Sequence, residues 1–234
     1  MEKLLKKVLI CDDNEDNIKE LIDSFKQYNK DQKGDFSFEV EPAKTIDEVS
    51  EKLKGHPEWD IVIIDRKFPE TDPSGSQLWE KHILKPLFDL QSNAIKIVFT
   101  AHPLATQQYP NQDLIEAMQL GAWDYIDKNY TRKRGGNSFD DVVDSAIKGL
   151  NEKRKIEERK LLSAEARYWI REHGEELFDN YPGLFVAIKK ISGDKWDILK
   201  DCVSKSLFGL YGNLYKKNID KETVYIFWVE ERRK

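Results

Sequence analysis

Two short apolar runs that each stop on carboxylates constrain this chain more than any other feature: Val8-Leu9-Ile10-Cys11 followed by Asp12-Asp13, and Ile61-Val62-Ile63-Ile64 followed by Asp65. A run of that length, apolar at every position, fits a parallel strand covered on both faces, because a strand with one wet face alternates instead. Where such strands end, an open α/β sheet presents the crevice in which ligands bind. The carboxylates therefore mark a candidate site as well as a fold.

The intervening sequence alternates between strand and helix signals. Ile18, Leu21, Ile22, Phe25 and Tyr28 recur at helical spacing, which predicts an amphipathic helix over residues 14–28 and puts the acidic pair in a strand-to-helix loop. Residues 36–40 alternate as a strand; Thr45 caps a helix carrying Ile46, Val49 and Leu53, which residues 55–57 end. FPETDPSGS, residues 68–76, is turn chemistry; a helix to about residue 90, kinked by Pro86, and a strand over residues 95–99 ending on Thr100 follow. The polar residues 103–112 lead to a helix that Gly121 closes, and residues 122–127 form a fifth strand running into Lys128. The last helix of the series is led by Phe139, Val142, Val143, Ala146, Ile147 and Leu150.

Five βα units in succession imply an α/β fold, a doubly wound parallel sheet with helices on both faces. The first domain is expected over residues 1–150 and a charged helical linker, with no Gly or Pro from residue 151 to 160, over 151–162; such a stiff connection can transmit movement. Residues 163–234 are expected to form a small α+β domain. There Ala166, Trp169, Ile170, Leu177 and Phe178 share one helical face, and residues 183–189 and 224–229 read as strands around a helix starting near Asp194 and containing Cys202. Trp169, Trp196 and Trp228 are read as core of this domain.

Composition narrows the class. With 234 residues, 35 % of them charged, and a net charge of −5, the chain is not a polybasic nucleic-acid binder. Cys11 and Cys202 are the only cysteines, which gives neither a disulfide framework nor a zinc spacing, and no apolar run approaches membrane-spanning length. A soluble, unprocessed cytoplasmic protein is expected. His56, His82, His102 and His173 lack metal spacing, and the basic stretch KNYTRKR from Lys128 to Arg134 reads as a solvated loop.

The commonest order of a five-stranded sheet of this kind, 2-1-3-4-5, places the ends of strands one and three side by side. Asp12, Asp13 and Asp65 then converge, and three carboxylates at short range call for a hard cation such as Mg²⁺. Thr100 and Lys128, at the ends of strands four and five, add a hydroxyl and a compact positive charge at the same edge, which suits a phosphoryl group.

Over about residues 5–150 the sequence resembles a response-regulator receiver domain (CheY-like, flavodoxin-like fold) of two-component signalling. The resemblance rests on Asp12-Asp13, on IVIIDRKFPETDPSG around Asp65, on IVFTAH with Thr100, and on GAWDYIDK with Lys128. It implies that Asp65 is the phosphoacceptor. It implies further that Asp13, Asp65 and the backbone carbonyl of Lys67 bind Mg²⁺, with Asp12 acting mainly through water, and that Thr100 and Lys128 hold phosphoryl oxygens. Thr100 and Tyr125 match the switch pair that reshapes the face of the fourth helix, fifth strand and fifth helix. The implied partners are a histidine kinase or phosphotransfer protein, an unknown output partner of that face or of residues 163–234, and a second copy of the chain. The sequence departs from the family at Asn129, where proline is usual, and in the longer stretches around PETDPSG and HPLATQQYPNQD; Lys67 and His102 are expected to tune phosphoryl lifetime. Two other classes are open: a receiver-like interaction protein that works without phosphorylation, and a Mg²⁺-dependent phosphohydrolase with an Asp nucleophile. Against the second, Asp-x-Asp is missing at Asp65, whose plus-two position is Lys67. Residues 163–234 contain no helix-turn-helix, Gly-Gly-acidic cyclase motif or phosphate loop, so neither DNA binding nor an enzymatic output is expected.

Overall fold

Alternation along each strand builds both faces of the main sheet. A computed structural model describes residues 3–31, 34–55, 59–65, 91, 93–101, 117–119, 121–129, 136–193 and 195–230. Strands β1 (Leu4–Cys11), β2 (Phe36–Ala43), β3 (Ile61–Ile64), β4 (Ile95–Thr100) and β5 (Asp124–Asp127) form one parallel sheet in the order β2-β1-β3-β4-β5. The doubly wound architecture and its strand order are those expected from the sequence.

Because successive side chains point to opposite faces, Val8, Ile10, Ile61, Ile63, Ile97, Phe99 and Ile126 join one core. Leu9, Cys11, Val62, Ile64 and Val98 join the other. The first core is closed by helix α1 (Glu15–Asp31) through Ile18, Leu21 and Phe25, and by helix α3 (Ser138–Glu172) through Val142, Val143, Ala146 and Leu150. Helix α2 (Ile46–Gly55) covers the second face with Val49 and Leu53. Burying a large aliphatic or aromatic side chain in such a core contributes about 1.5–3 kcal/mol.

The expected caps form. Thr45 Oγ1 accepts a hydrogen bond from the Glu48 N–H at 3.2 Å, and Glu48 Oε2 accepts one from the Lys44 N–H at 2.7 Å. Residues 117–119 are helical, and Gly121, at φ +90°, ends that turn as the Ala122 N–H donates back to the Ala117 carbonyl at 2.9 Å. The turn at residues 68–76, the helix after it with Pro86, Lys67, His102, residues 103–112 and most of KNYTRKR lie outside the described residues.

The chain divides into two compact units, Met1–Glu152 and Lys153–Lys234, and α3 runs unbroken through the boundary. In the second unit, strands β6 (Leu184–Ser192), β7 (Lys195–Ile198) and β8 (Val224–Val229) form an antiparallel sheet in the order β7-β6-β8. Ala166 of α3 and Leu177 of helix α4 (Gly174–Asn180) pack on Val186, Ile188, Trp196 and Val229. Leu210 and Leu214 of helix α5 (Leu207–Lys216) pack with Ala187, Cys202 and Val224.

Four expectations for this unit are corrected. The helix placed near Asp194 begins only at Leu207; residues 195–198 are a strand that returns from β6 through a turn with Gly193 at φ +51°. Cys202 lies in a 3-10 turn, Lys200–Cys202, rather than in that helix. The helical face from Ala166 to Phe178 is split between α3 and α4 at His173, whose ring stacks on Trp169 at 4.2 Å, and Phe178 is exposed. Trp196 and Trp169 join the core, but Trp228 is 45 % exposed. Among the described residues no helix is long and apolar enough to cross a membrane.

Candidate functional site

Four strands deliver the candidate residues to one edge by continuing their ladders to, or one residue past, the strand end. The Asp12 N–H donates to the Ala43 carbonyl at 3.2 Å, the Asp65 N–H to the Cys11 carbonyl at 2.8 Å, and the Lys128 N–H to the Thr100 carbonyl at 2.8 Å. Each of Asp12, Asp65 and Lys128 is thus fixed by a backbone hydrogen bond to a neighbouring strand, and Thr100 is the last residue of β4, in register with Asp127. Rigid strand ends hold a site more closely than free loops do.

The side chains converge as the strand order requires. Asp12, Asp13 and Asp65 each present a carboxylate oxygen, and these atoms all lie within 4.8 Å of one another. Lys128 Nζ donates to Asp12 Oδ2 and to Asp65 Oδ2, both at 2.6 Å, and its side chain is only 6 % exposed. Asp12 and Asp65 are buried as well, while Asp13 is half-buried and lines an open cleft of about 380 Å³ with Asn14, Glu15 and Asp16. The Lys128 ammonium also lies 5.3 Å from the centre of the Phe99 ring, a geometry that favours a cation.

Burial and charge pull the Asp12 carboxyl in opposite directions. Desolvation pushes its pKa above the ordinary carboxylate value and the like charge of Asp65 adds to this; Lys128 and the Asn14 N–H oppose it. Behind it, burial, helped by the Asp12 charge, holds the Cys11 thiol well above its usual range, so that this sulfur stays neutral. With all groups ionised, three carboxylates and one ammonium leave a double negative charge. An all-oxygen donor set with that charge fits a divalent hard cation.

Asn14, Asn17, Asn129 and Ser138 complete the frame. The Asn14 N–H donates to Asp12 Oδ1 at 2.9 Å, and Asn14 Oδ1 caps α1 by accepting from the N–H groups of Asp16 and Asn17 at 2.9 and 3.1 Å. Asn17 Nδ2 reaches both Asp12 oxygens at 3.4 Å. An asparagine just before a helical pattern was the available signal for the cap; nothing in the sequence marked Asn17. After β5, the Asn129 N–H donates to Asp127 Oδ1 at 2.8 Å and its side chain to the Ala101 carbonyl at 2.7 Å, while Ser138 Oγ donates to the Lys128 carbonyl at 2.8 Å. The loop carrying Lys128 is therefore tied to the end of β4 and to the start of α3.

Thr100 is fully buried, and Tyr125, half-buried, packs against the core on the α2 side of the sheet. Strand alternation puts both on that side, with Tyr125 in register with Val98, two residues before Thr100. Asp12, Asp13, Asp65, Thr100 and Lys128 thus lie at one sheet edge, with Tyr125 two residues inside it; Lys67 lies outside the described segments.

No family model matches the chain, and no curated protein does. Among solved structures it is similar to a CheY-like response regulator receiver domain protein from Methanospirillum hungatei, at 24 % identity over 64 % of this chain and 98 % of that one, with a TM-score of 0.45. It is also similar to a response regulator protein from Burkholderia pseudomallei, whose structure contains a phosphorylated aspartic acid, a calcium ion and citrate. There the identity is 16 %, the coverage 93 % of this chain and 95 % of that one, and the TM-score 0.44. A third similar structure is a signal receiver domain of a two-component histidine kinase from Clostridium thermocellum, at 19 % identity over 61 % of this chain and 98 % of that one, TM-score 0.42.

Proposed function

We propose that this chain is a cytoplasmic response regulator that accepts a phosphoryl group on Asp65 from a histidine kinase or phosphotransfer protein and thereby switches an interaction surface. The observation that carries the reading is Lys128 Nζ at 2.6 Å from both Asp12 and Asp65, beside a third carboxylate within 4.8 Å. A nucleophilic carboxylate for phosphoryl transfer needs a fixed position, a neighbouring cation and a second positive charge that meets the incoming oxygens. Asp65 at a strand end, the acidic cluster and the buried Lys128 supply these three in one place.

In this reading an Asp65 carboxylate oxygen attacks the phosphorus of a phosphohistidine; the P–N bond breaks and its electron pair returns to the imidazole, leaving an acyl phosphate on Asp65. Asp13 and Asp65 would hold Mg²⁺ directly and Asp12 through water; the family resemblance assigns the Lys67 backbone carbonyl to the same ion, and Lys67 lies outside the described residues. Bound there, Mg²⁺ supplies charge neutralisation for the phosphoryl oxygens. Lys128 exchanges a carboxylate for a phosphoryl oxygen, and the Thr100 hydroxyl donates to another. Movement of Thr100 frees the space into which Tyr125 turns, so a local charge event biases the outer face around β5. Phosphotransfer onto Asp65 and hydrolysis of the resulting acyl phosphate to free carboxylate and inorganic phosphate are the only chemistry assigned; the protein is a switch rather than a metabolic enzyme.

Intact-mass measurement after incubation with Mg²⁺ and acetyl phosphate tests the proposal. A mass gain of one phosphoryl group that requires Mg²⁺ and disappears in Asp65→Asn is expected. An unmodified wild type would leave a receiver-like protein that works by constitutive binding, and steady release of phosphate with many turnovers would point to a phosphohydrolase.

A further inference from the structure

Helix α5 turns one face to the small sheet and leaves the other bare. Leu210 and Leu214 are buried, while Leu207 is 41 %, Phe208 87 %, Tyr211 42 % and Tyr215 86 % exposed. At 100° per residue these four fall within one third of the helix circumference, a single stripe rather than scattered residues. Gly212 borders the stripe, about 40° round the helix from Phe208 and about 60° from Tyr215, one turn after the first and just under one turn before the second, and a Cβ built there meets nothing within 4 Å. The stripe is therefore a set of aromatic knobs beside a bare backbone notch.

The chemistry of this surface selects its occupant. Residues 207–215 contain no charged side chain, so the centre of the face holds none of the lysines and arginines through which nucleic acids and anionic lipids bind. Charges of both signs surround it instead: Lys205, Lys216 and Asp220, together with Lys217, which pairs with Asp201 at 2.9 Å. An uncharged aromatic centre inside a mixed charged rim is the anatomy of a protein–protein contact. At roughly 200 Å² per large apolar side chain, the four residues of the stripe expose about 500 Å² per copy, so two copies would bury about 1,000 Å², the smallest area that a specific interface needs. Knobs and notch on one helix are self-complementary, as a two-fold contact requires.

We infer that α5 is a homodimerisation surface on which a second copy of this chain docks, with Phe208 and Tyr215 packing around Gly212 of the partner helix. This goes beyond the phosphoacceptor reading and stands independently of it. Sedimentation equilibrium of the unphosphorylated full chain is expected to show a mass rising with concentration toward twice 27.4 kDa. Phe208→Ala with Tyr215→Ala weakens association about tenfold or more while the circular dichroism spectrum stays unchanged. Gly212→Phe separates the docked copy from general stickiness: it adds apolar surface in open space, yet fills the notch and so weakens the dimer. A wild type that is monomeric at every concentration, a dimer that survives the double variant, or a Gly212→Phe chain that associates more tightly would each overturn the inference. So would a monomer that pellets with phosphatidylserine vesicles, which would assign the stripe to a lipid surface.

Discussion

Among the described residues, Lys128 carries the electrostatics of the site, because its ammonium lies within hydrogen-bond reach of both buried carboxylates, Asp12 and Asp65. Its charge only partly offsets the burial of Asp12, whose folded pKa lies above its unfolded value because desolvation disfavours the charged form. Between the two values the folded chain keeps a proton that the unfolded chain has released. The stability linked to Asp12 is therefore greatest at or below the unfolded pKa and falls as pH rises through the folded pKa. In chelator, the urea-derived stability of wild type minus that of Asp12→Asn is expected to decrease with rising pH across this window and to level off above it. A difference that rises with pH would mean that Lys128 overcompensates the burial. The strand-end positions of Asp12, Asp65 and Thr100 were legible in the sequence because each follows or ends an apolar run, and that of Lys128 because it follows the strand signal of residues 122–127. The helpers Asn17 and Ser138 were not, since their roles depend on distances to Asp12 and to the Lys128 carbonyl that no local pattern encodes.

At the scale of elements, α3 shows how packing overrides propensity. Gly149 sits inside that helix, where alanine would ordinarily be favoured by about 1 kcal/mol. A Cβ at this position would lie 2.8 Å from Ile95 Cγ2 and 3.1 Å from Trp123 Nε1. Trp123 is held by its hydrogen bond to the Ser145 carbonyl at 3.1 Å, and Ile95 belongs to the buried β4, so neither yields cheaply. Gly149→Ala is expected to destabilise the chain by about 1–3 kcal/mol despite its helix propensity, read as a lower urea midpoint; an unchanged or raised midpoint would contradict this. The same scale explains the misread elements. β7 is four residues, Lys195–Ile198, with alternating exposure at its start, too short to separate from a helix start by periodicity alone. The break at His173 escaped detection because Ala166 and Leu177, on either side of it, pack into the same core, so the apolar period continues across the turn.

For the molecule as a whole, the acidic cluster makes stability a reporter of cation binding. A ligand that binds only the folded state stabilises by about 2.7 kcal/mol at a hundred times its Kd. Saturating Mg²⁺ is therefore expected to raise the melting temperature of the unphosphorylated chain, and Asp13→Asn, which removes the half-buried carboxylate of the cluster, is expected to abolish the rise. A wild type whose melting is indifferent to Mg²⁺ would remove the cation from the proposed mechanism. The sequence by itself determined the five-stranded sheet, the helices that follow its first, second and fifth strands and the set of strand-end residues, because continuous apolar runs and helical periods are local signals written in order along the chain. Only the tertiary structure decided that Lys128 bridges Asp12 and Asp65, that Asn17 and Ser138 brace them, and that α5 keeps an aromatic face bare. Those outcomes depend on which groups distant in sequence meet, and on which side of an amphipathic element finds a partner, and neither is set by local spacing.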